Sequence, residues 1–214
     1  MKGLILKDIL NLKKTIKSML VIGIAYCILF SNINPMLLTG LLTLLFTMQS
    51  LSSFSYDEYA KWDCYALTLP ISKRDFVLSK YVLFIIFPII GSILSIIATI
   101  IVCLLKNNLA LSEILASSMG YLFSMELMIL ILLPIIYKFG VERGRLMMII
   151  IPFAIGAVGF LIFKLAKGFN LISPTIEQIY VLTPTISILA IIFLAIIGYI
   201  SYQISLRIIY KKEY

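Results

Sequence analysis

YDEYAKWDCYALTLPISKRDFVLSKY, residues 56 to 81, gathers charge, aromatic rings and a proline between two runs of almost pure hydrocarbon. No charged residue occurs from Ser18 to Tyr56 on one side or from Tyr81 to Leu105 on the other. A hydrocarbon core about 30 Å thick needs roughly 20 helical residues to cross it. The second run fits one crossing. The first is too long for one and fits two if Asn32, Asn34 and Pro35 turn the chain near its middle. The polar stretch is then the connection between the second and third of a series of membrane spans.

Composition agrees. Of 214 residues, 62% are hydrophobic and 13% charged, with a mean hydropathy of +1.10, whereas soluble domains are about a quarter charged. The sequence predicts an all-α integral membrane protein with six transmembrane helices, at about 18–32, 35–55, 81–105, 114–137, 146–163 and 184–206. Residues 1–17 precede them, and the six-helix domain occupies 18–214.

In GLILKDILNLKKTIK, residues 3 to 17, Ile5, Ile9, Leu12 and Ile16 share one helical stripe, with Lys7, Asn11 and Lys14 opposite. This predicts an amphipathic helix in the headgroup plane, lysines toward anionic lipid. A plain helical extension of the first span is the other reading. Lysine and arginine set the orientation: fifteen fall in the N-terminal segment, the 56–81 stretch, the 138–145 loop and the tail, against Lys106, Lys164 and Lys167 elsewhere. Both termini are therefore expected in the cytoplasm. The net charge of +8 is a topology signal and calls for no nucleic acid.

The opening stretch then lies on the cytoplasmic face. Asp57 and Glu58 head it; Tyr59, Trp62 and Tyr65 recur every three residues, predicting rings along one side of a short helix. Pro70, after Leu67 and Leu69, breaks that helix. Ser72 is placed as an N-cap, with Asp75 three residues later as its capping-box acid, and the next helix climbs into the third span. Taken as residues alone, the stretch reads equally as an interfacial anchor and as a docking element.

Several chemistries are excluded or left without a motif. Histidine is absent, which removes metal sites built on H-E-x-x-H and the usual general base. Cys27, Cys64 and Cys103 have neither disulfide-framework nor metal spacing. No G-x-x-x-x-G-K-[ST] occurs, so the chain has no phosphate cradle of its own. Glu126, near the centre of the fourth span, is costly in hydrocarbon unless paired, neutral or facing water. It reads as a substrate-pathway residue, as a protonated carboxyl bonded to a neighbouring helix, or as a residue nearer a surface than the span boundaries imply. Met119, Met125, Met128, Met147 and Met148 offer soft packing, and Gly156 and Gly159 a close-approach patch. Glu142 to Arg145 is expected as a cytoplasmic loop, and Lys164 to Leu182 as the longest outer loop, with a short helix capped near Ser173 to Glu177.

The acidic pair, Trp62 and Tyr65, the run Leu69-Pro70-Ile71-Ser72-Lys73-Arg74, and Lys80-Tyr81, set between spans 2 and 3 of a six-span chain, resemble the permease subunits of type-2 ABC exporters. The closest likeness is to the small permeases of the phenol-soluble-modulin exporter group. The resemblance implies that residues 56–80 are a cytoplasmic coupling segment docking on a separate ABC ATPase. That partner would bind ATP and Mg, and this chain would need no cofactor. The ATPase-coupling residues it implies are Asp57, Glu58, Trp62, Tyr65, Leu69, Pro70 and Arg74, with Glu126 on the substrate path. It further implies a second copy or a related permease to complete the pore, an amphipathic peptide or hydrophobic cargo, and a bacterial cytoplasmic membrane. A secondary transporter or channel using Glu126 is the principal alternative; an intramembrane enzyme and a passive immunity-type protein are further ones.

Overall fold

The computed structural model describes residues 2–30, 35–66, 68, 71–106, 111–168 and 176–211. The described chain is helical: α1 (Lys2–Phe30), α2 (Pro35–Tyr59), α3 (Trp62–Ala66), α4 (Lys73–Leu105), α5 (Leu111–Phe139), α6 (Val141–Gly168) and α7 (Ile176–Lys211). By length and composition, four of the described helical segments can cross a membrane: Met36–Tyr59, Lys73–Leu105, Leu111–Phe139 and Ile188–Lys211. The apolar part of α1, Thr15–Phe30, is shorter.

Residues 2–17 continue into the first apolar run as one helix, α1 passing residue 17 without a break. Its buried face is also rotated from the expected stripe. Leu4, Asp8 and Leu12 are buried while Ile9 is exposed, since the helix packs on α2 and α4 and presents to them the row spaced by four. The expected loop at 142–145 is helical too, because a single residue, Gly140, separates α5 from α6. Most of the expected outer loop from Lys164 to Leu182 belongs to α6 and α7. The turn at Asn32 and Asn34, the residues Asn107 and Asn108 after α4, and Ser173 to Thr175 lie outside the described residues.

The α2–α4 pair is the centre of the bundle, with α1 and α5 flanking it and α7 against α4 and α5. Apolar burial drives little association between helices in lipid, so close approach and internal polar contacts must hold the bundle together. Both are present. Gly91 of α4 comes so near α2 that a Cβ there would lie 2.6 Å from Phe46 Cβ. Along α2, Thr39, Thr43, Thr47, Ser50 and Ser53 are all buried. The hydroxyls of Thr39, Thr43, Thr47 and Ser50 donate to carbonyls three or four residues back, those of Met36, Thr39 with Gly40, Thr43 and Thr47 respectively. A polar stripe thus becomes a smooth, self-satisfied packing surface.

A second lacing follows from Pro134. Proline lacks an N–H, so within α5 it leaves the Leu130 carbonyl without its helical donor. Ser201 Oγ of α7 donates to that carbonyl. With its proton so used, Ser201 accepts from the Tyr81 hydroxyl of α4 at 2.7 Å, and Tyr81 in turn accepts from Ser205 at 2.8 Å. Three helices are joined by one chain of hydrogen bonds.

Candidate functional site

The connection between α2 and α4 carries most of the residues singled out in the sequence. Its helix does not run continuously under Tyr59, Trp62 and Tyr65. Lys61 adopts a positive φ of 47° and ends α2, with Ala60 N–H bonded to the Tyr56 carbonyl and Lys61 N–H to that of Glu58. Tyr59 therefore belongs to the end of α2, and only Trp62 and Tyr65 share the short α3, their rings 5.3 Å apart. The three aromatic rings are not one stripe. Tyr59 and Tyr65 point outward, 90% and 57% exposed, while Trp62 is half-buried.

Beneath α3 lies a buried cluster of four charges. Asp57 Oδ1 is 2.6 Å from Lys7 Nζ and its Oδ2 is 2.6 Å from Lys80 Nζ. Asp8 completes the ring, 3.1 Å from Lys7 and 3.0 Å from Lys80. Two cations and two anions neutralise one another, and Lys80 also donates to Ser53 Oγ at 2.7 Å. Asp8, Asp57 and Lys80 are buried and Lys7 only partly so. The Lys7 ammonium is 4.3 Å from the centroid of the Trp62 ring, and that of Lys80 is 5.1 Å from the Phe54 ring. The cluster thus fastens α1, α2 and α4 together and seats α3 on top through Trp62.

This placement changes the reading of Asp57. As a surface contact it would have to be accessible, but here both its oxygens are engaged inside the protein. Glu58 is also occupied in part: its Oε2 accepts the N–H of Val141, the first residue of α6, at 3.0 Å. A carboxylate there satisfies an orphan helix donor and meets the positive end of the α6 dipole. Arg145 of α6 donates to Ser55 Oγ of α2 at 2.9 Å, so the α5–α6 corner is tied to the end of α2 by two contacts.

Ser72 caps α4 as its spacing predicts, accepting from Asp75 N–H at 3.0 Å and donating to Asp75 Oδ2 at 2.9 Å. Arg74 follows in the first turn and is exposed. Next to it, Lys73 donates to the Ile209 carbonyl near the end of α7 and lies 5.3 Å from the Tyr210 ring, so the start of α4 is held to α7. Leu69 and Pro70 lie outside the described residues. Glu126 is far along α5 from this surface, buried on the wall of a cavity between α4, α5 and α7.

Lys7, Asp8 and Lys80 went unrecognised as partners of Asp57 in the sequence. The available signal was Asp8, four residues from both Leu4 and Leu12 and so on their face of the helix. Among the described residues no group of three or more Cys, Asp and Glu side chains is placed to hold a metal ion.

No curated protein and no solved structure matches this chain. The family profile described as ABC-2 family transporter protein matches residues 3–210, which span all seven helices and the α2–α4 connection. The chain belongs to the ABC-2 family of transporter proteins.

Proposed function

We propose that this ABC-2 permease is the membrane half-channel of an ATP-driven exporter of amphipathic or hydrophobic cargo, with α3 and its flanks as the coupling element for the ATPase. Family membership makes the chain a multi-pass membrane transport component and implies an ABC ATPase partner. In the proposal it crosses the membrane six times with both termini in the cytoplasm. ATP and Mg are bound by the ATPase, and a second copy or a related permease completes the pore. An amphipathic peptide is the favoured cargo, on the likeness to the phenol-soluble-modulin exporter group.

The observation that carries the coupling assignment is the two-sided build of the α2–α4 connection. Its outer side offers Tyr59, Tyr65 and Arg74 to a partner. Its inner side is clamped to three helices by Lys7, Asp8, Asp57 and Lys80. A push on a five-residue helix reaches the membrane only if that helix cannot slide, and the buried charges with Trp62 supply the grip. The coupling set accordingly comprises Tyr59, Tyr65 and Arg74 as contact residues, Glu58 as a shared one, and Asp57 and Trp62 as positioning residues.

The test is affinity purification of the tagged permease in mild detergent from its native membrane, with partners identified by mass spectrometry. The native chain should bring down a P-loop protein in stoichiometric amount. The Tyr59→Ala/Tyr65→Ala double variant should lose it while keeping its own melting temperature. A native chain recovered alone as a stable oligomer would overturn the proposal and favour a secondary transporter or channel.

A further inference from the structure

The cavity between α4, α5 and α7 has a volume of about 520 Å³, within the usual range for small-molecule sites. Glu126 supplies its one charged side chain among the described residues, and the rest of the wall is largely apolar, with Ile89 and Leu130 among its residues. The rings of Tyr81, Tyr199 and Tyr202 also line it, Tyr81 and Tyr202 meeting edge to face at 5.7 Å.

Glu126 stands about halfway along α5 and is 6% exposed, and its Oε1 is buried with no hydrogen-bond partner among the described residues. A carboxyl oxygen in that position costs free energy for as long as nothing meets it. The Tyr81 hydroxyl is already engaged with Ser201 and Ser205, which leaves its ring as the contact surface. The wall therefore combines an acceptor that gains from a positive partner, aromatic faces that attract cations, and apolar surface for a hydrocarbon body. It contains no cation to receive an anionic head group among the described residues.

We infer that this cavity binds the ammonium group of a cationic amphiphile, a primary amine carried on an apolar chain, with Glu126 as its counter-ion and the tyrosine rings beside it. The ion pair so formed is neutral overall, which is the condition for placing a cation this deep in the bilayer. The hydrocarbon body then lies against Ile89 and Leu130. The inference deepens the reading of Glu126 as a substrate-path residue and rests on it for the occupant's being cargo; binding itself needs no ATPase.

The experiment uses the full chain in nanodiscs of phosphatidylcholine and phosphatidylglycerol, a diazirine-bearing dodecylamine as the probe, and mass-spectrometric mapping of the labelled residues. Labelling should concentrate on the cavity-facing residues of α4, α5 and α7. Unlabelled dodecylamine should suppress it at a concentration at least tenfold below that needed with dodecanol, and dodecanoate should not suppress it. Glu126→Gln should weaken competition by dodecylamine tenfold or more, and Tyr199→Leu, at an exposed ring whose loss spares the core, about threefold. Label spread over α1 and α6 in proportion to their exposure would overturn the inference. So would equal competition by dodecanol or dodecanoate, as expected of a site filled by ordinary lipid. The Tyr59→Ala/Tyr65→Ala variant should label normally, which separates a failure here from a failure of the coupling proposal.

Discussion

Lys80 and Asp57 meet at 2.6 Å between α4 and α2, both shielded from solvent, at the level where the α2–α4 connection leaves the bundle. One of these residues begins the polar stretch and the other closes it, so the ion pair shuts the connection into a loop of fixed span.

Removing one member of that cluster leaves an uncompensated buried charge. Lys80→Met should cost about 3–5 kcal/mol, read as a large drop in melting temperature in detergent. Lys7→Met should cost clearly less, because Lys7 is partly exposed and water can take over its role. Equal losses at the two positions would show that the cluster is not organised around Lys80.

Gly91 has no room for a side chain against Phe46. Gly91→Ala should destabilise the protein by about 1–3 kcal/mol through overpacking of the α2–α4 pair. Gly120→Ala, where nothing lies within 4 Å, is the control and should be neutral or slightly stabilising. Thermal unfolding followed by circular dichroism separates the two.

Ser201→Ala takes the donor from the Leu130 carbonyl that Pro134 already deprives of a helical partner. The expected loss is about 1 kcal/mol. In Pro134→Ala the carbonyl regains a helical donor, so adding Ser201→Ala to that background should cost less, the remainder being the lost contact with the Tyr81 hydroxyl. A double-mutant cycle on unfolding midpoints reads the coupling.

Gly140 has a φ of +86°, which costs an L-residue about 1–2 kcal/mol, and a Cβ there would lie 3.2 Å from Glu58 Oε1. Gly140→Ala should loosen the α5–α6 corner. Faster hydrogen exchange at the first turn of α6, with little change at the middle of α4, is the measurement that checks it.

Local signals in the sequence proved readable where the structure could be compared with them. The Ser72 cap with Asp75 three residues on is a short-range arrangement, complete within one helical turn, and it forms as its spacing predicts. The all-helical, membrane-spanning character follows from composition and run length. What escaped was set by contacts distant in the chain. Tyr59, Trp62 and Tyr65 have helical spacing, but Lys61 in the left-handed region breaks the helix between them, and spacing carries no mark of that. Asp57 looks like a surface acid until Lys7 and Lys80 are brought to it from fifty and twenty-three positions away. The Ser201 bond to the Leu130 carbonyl needed both the proline that frees the acceptor and the packing that delivers the donor, and only the first is visible in the sequence.

The one-residue junction at Gly140 makes the chain length at that corner as specific as any side chain. With α5 ending at Phe139 and α6 beginning at Val141, there is no slack to absorb an added residue. A single insertion would advance α6 by about 100° about its axis. The face now carrying Arg145 toward Ser55 would be turned away, and an outward-facing row such as Leu146, Ile149 and Phe153 would be swung round toward the bundle. The corner therefore works as a phase setting, which decides what side of α6 meets the rest of the protein and what side is left for lipid or a neighbouring subunit.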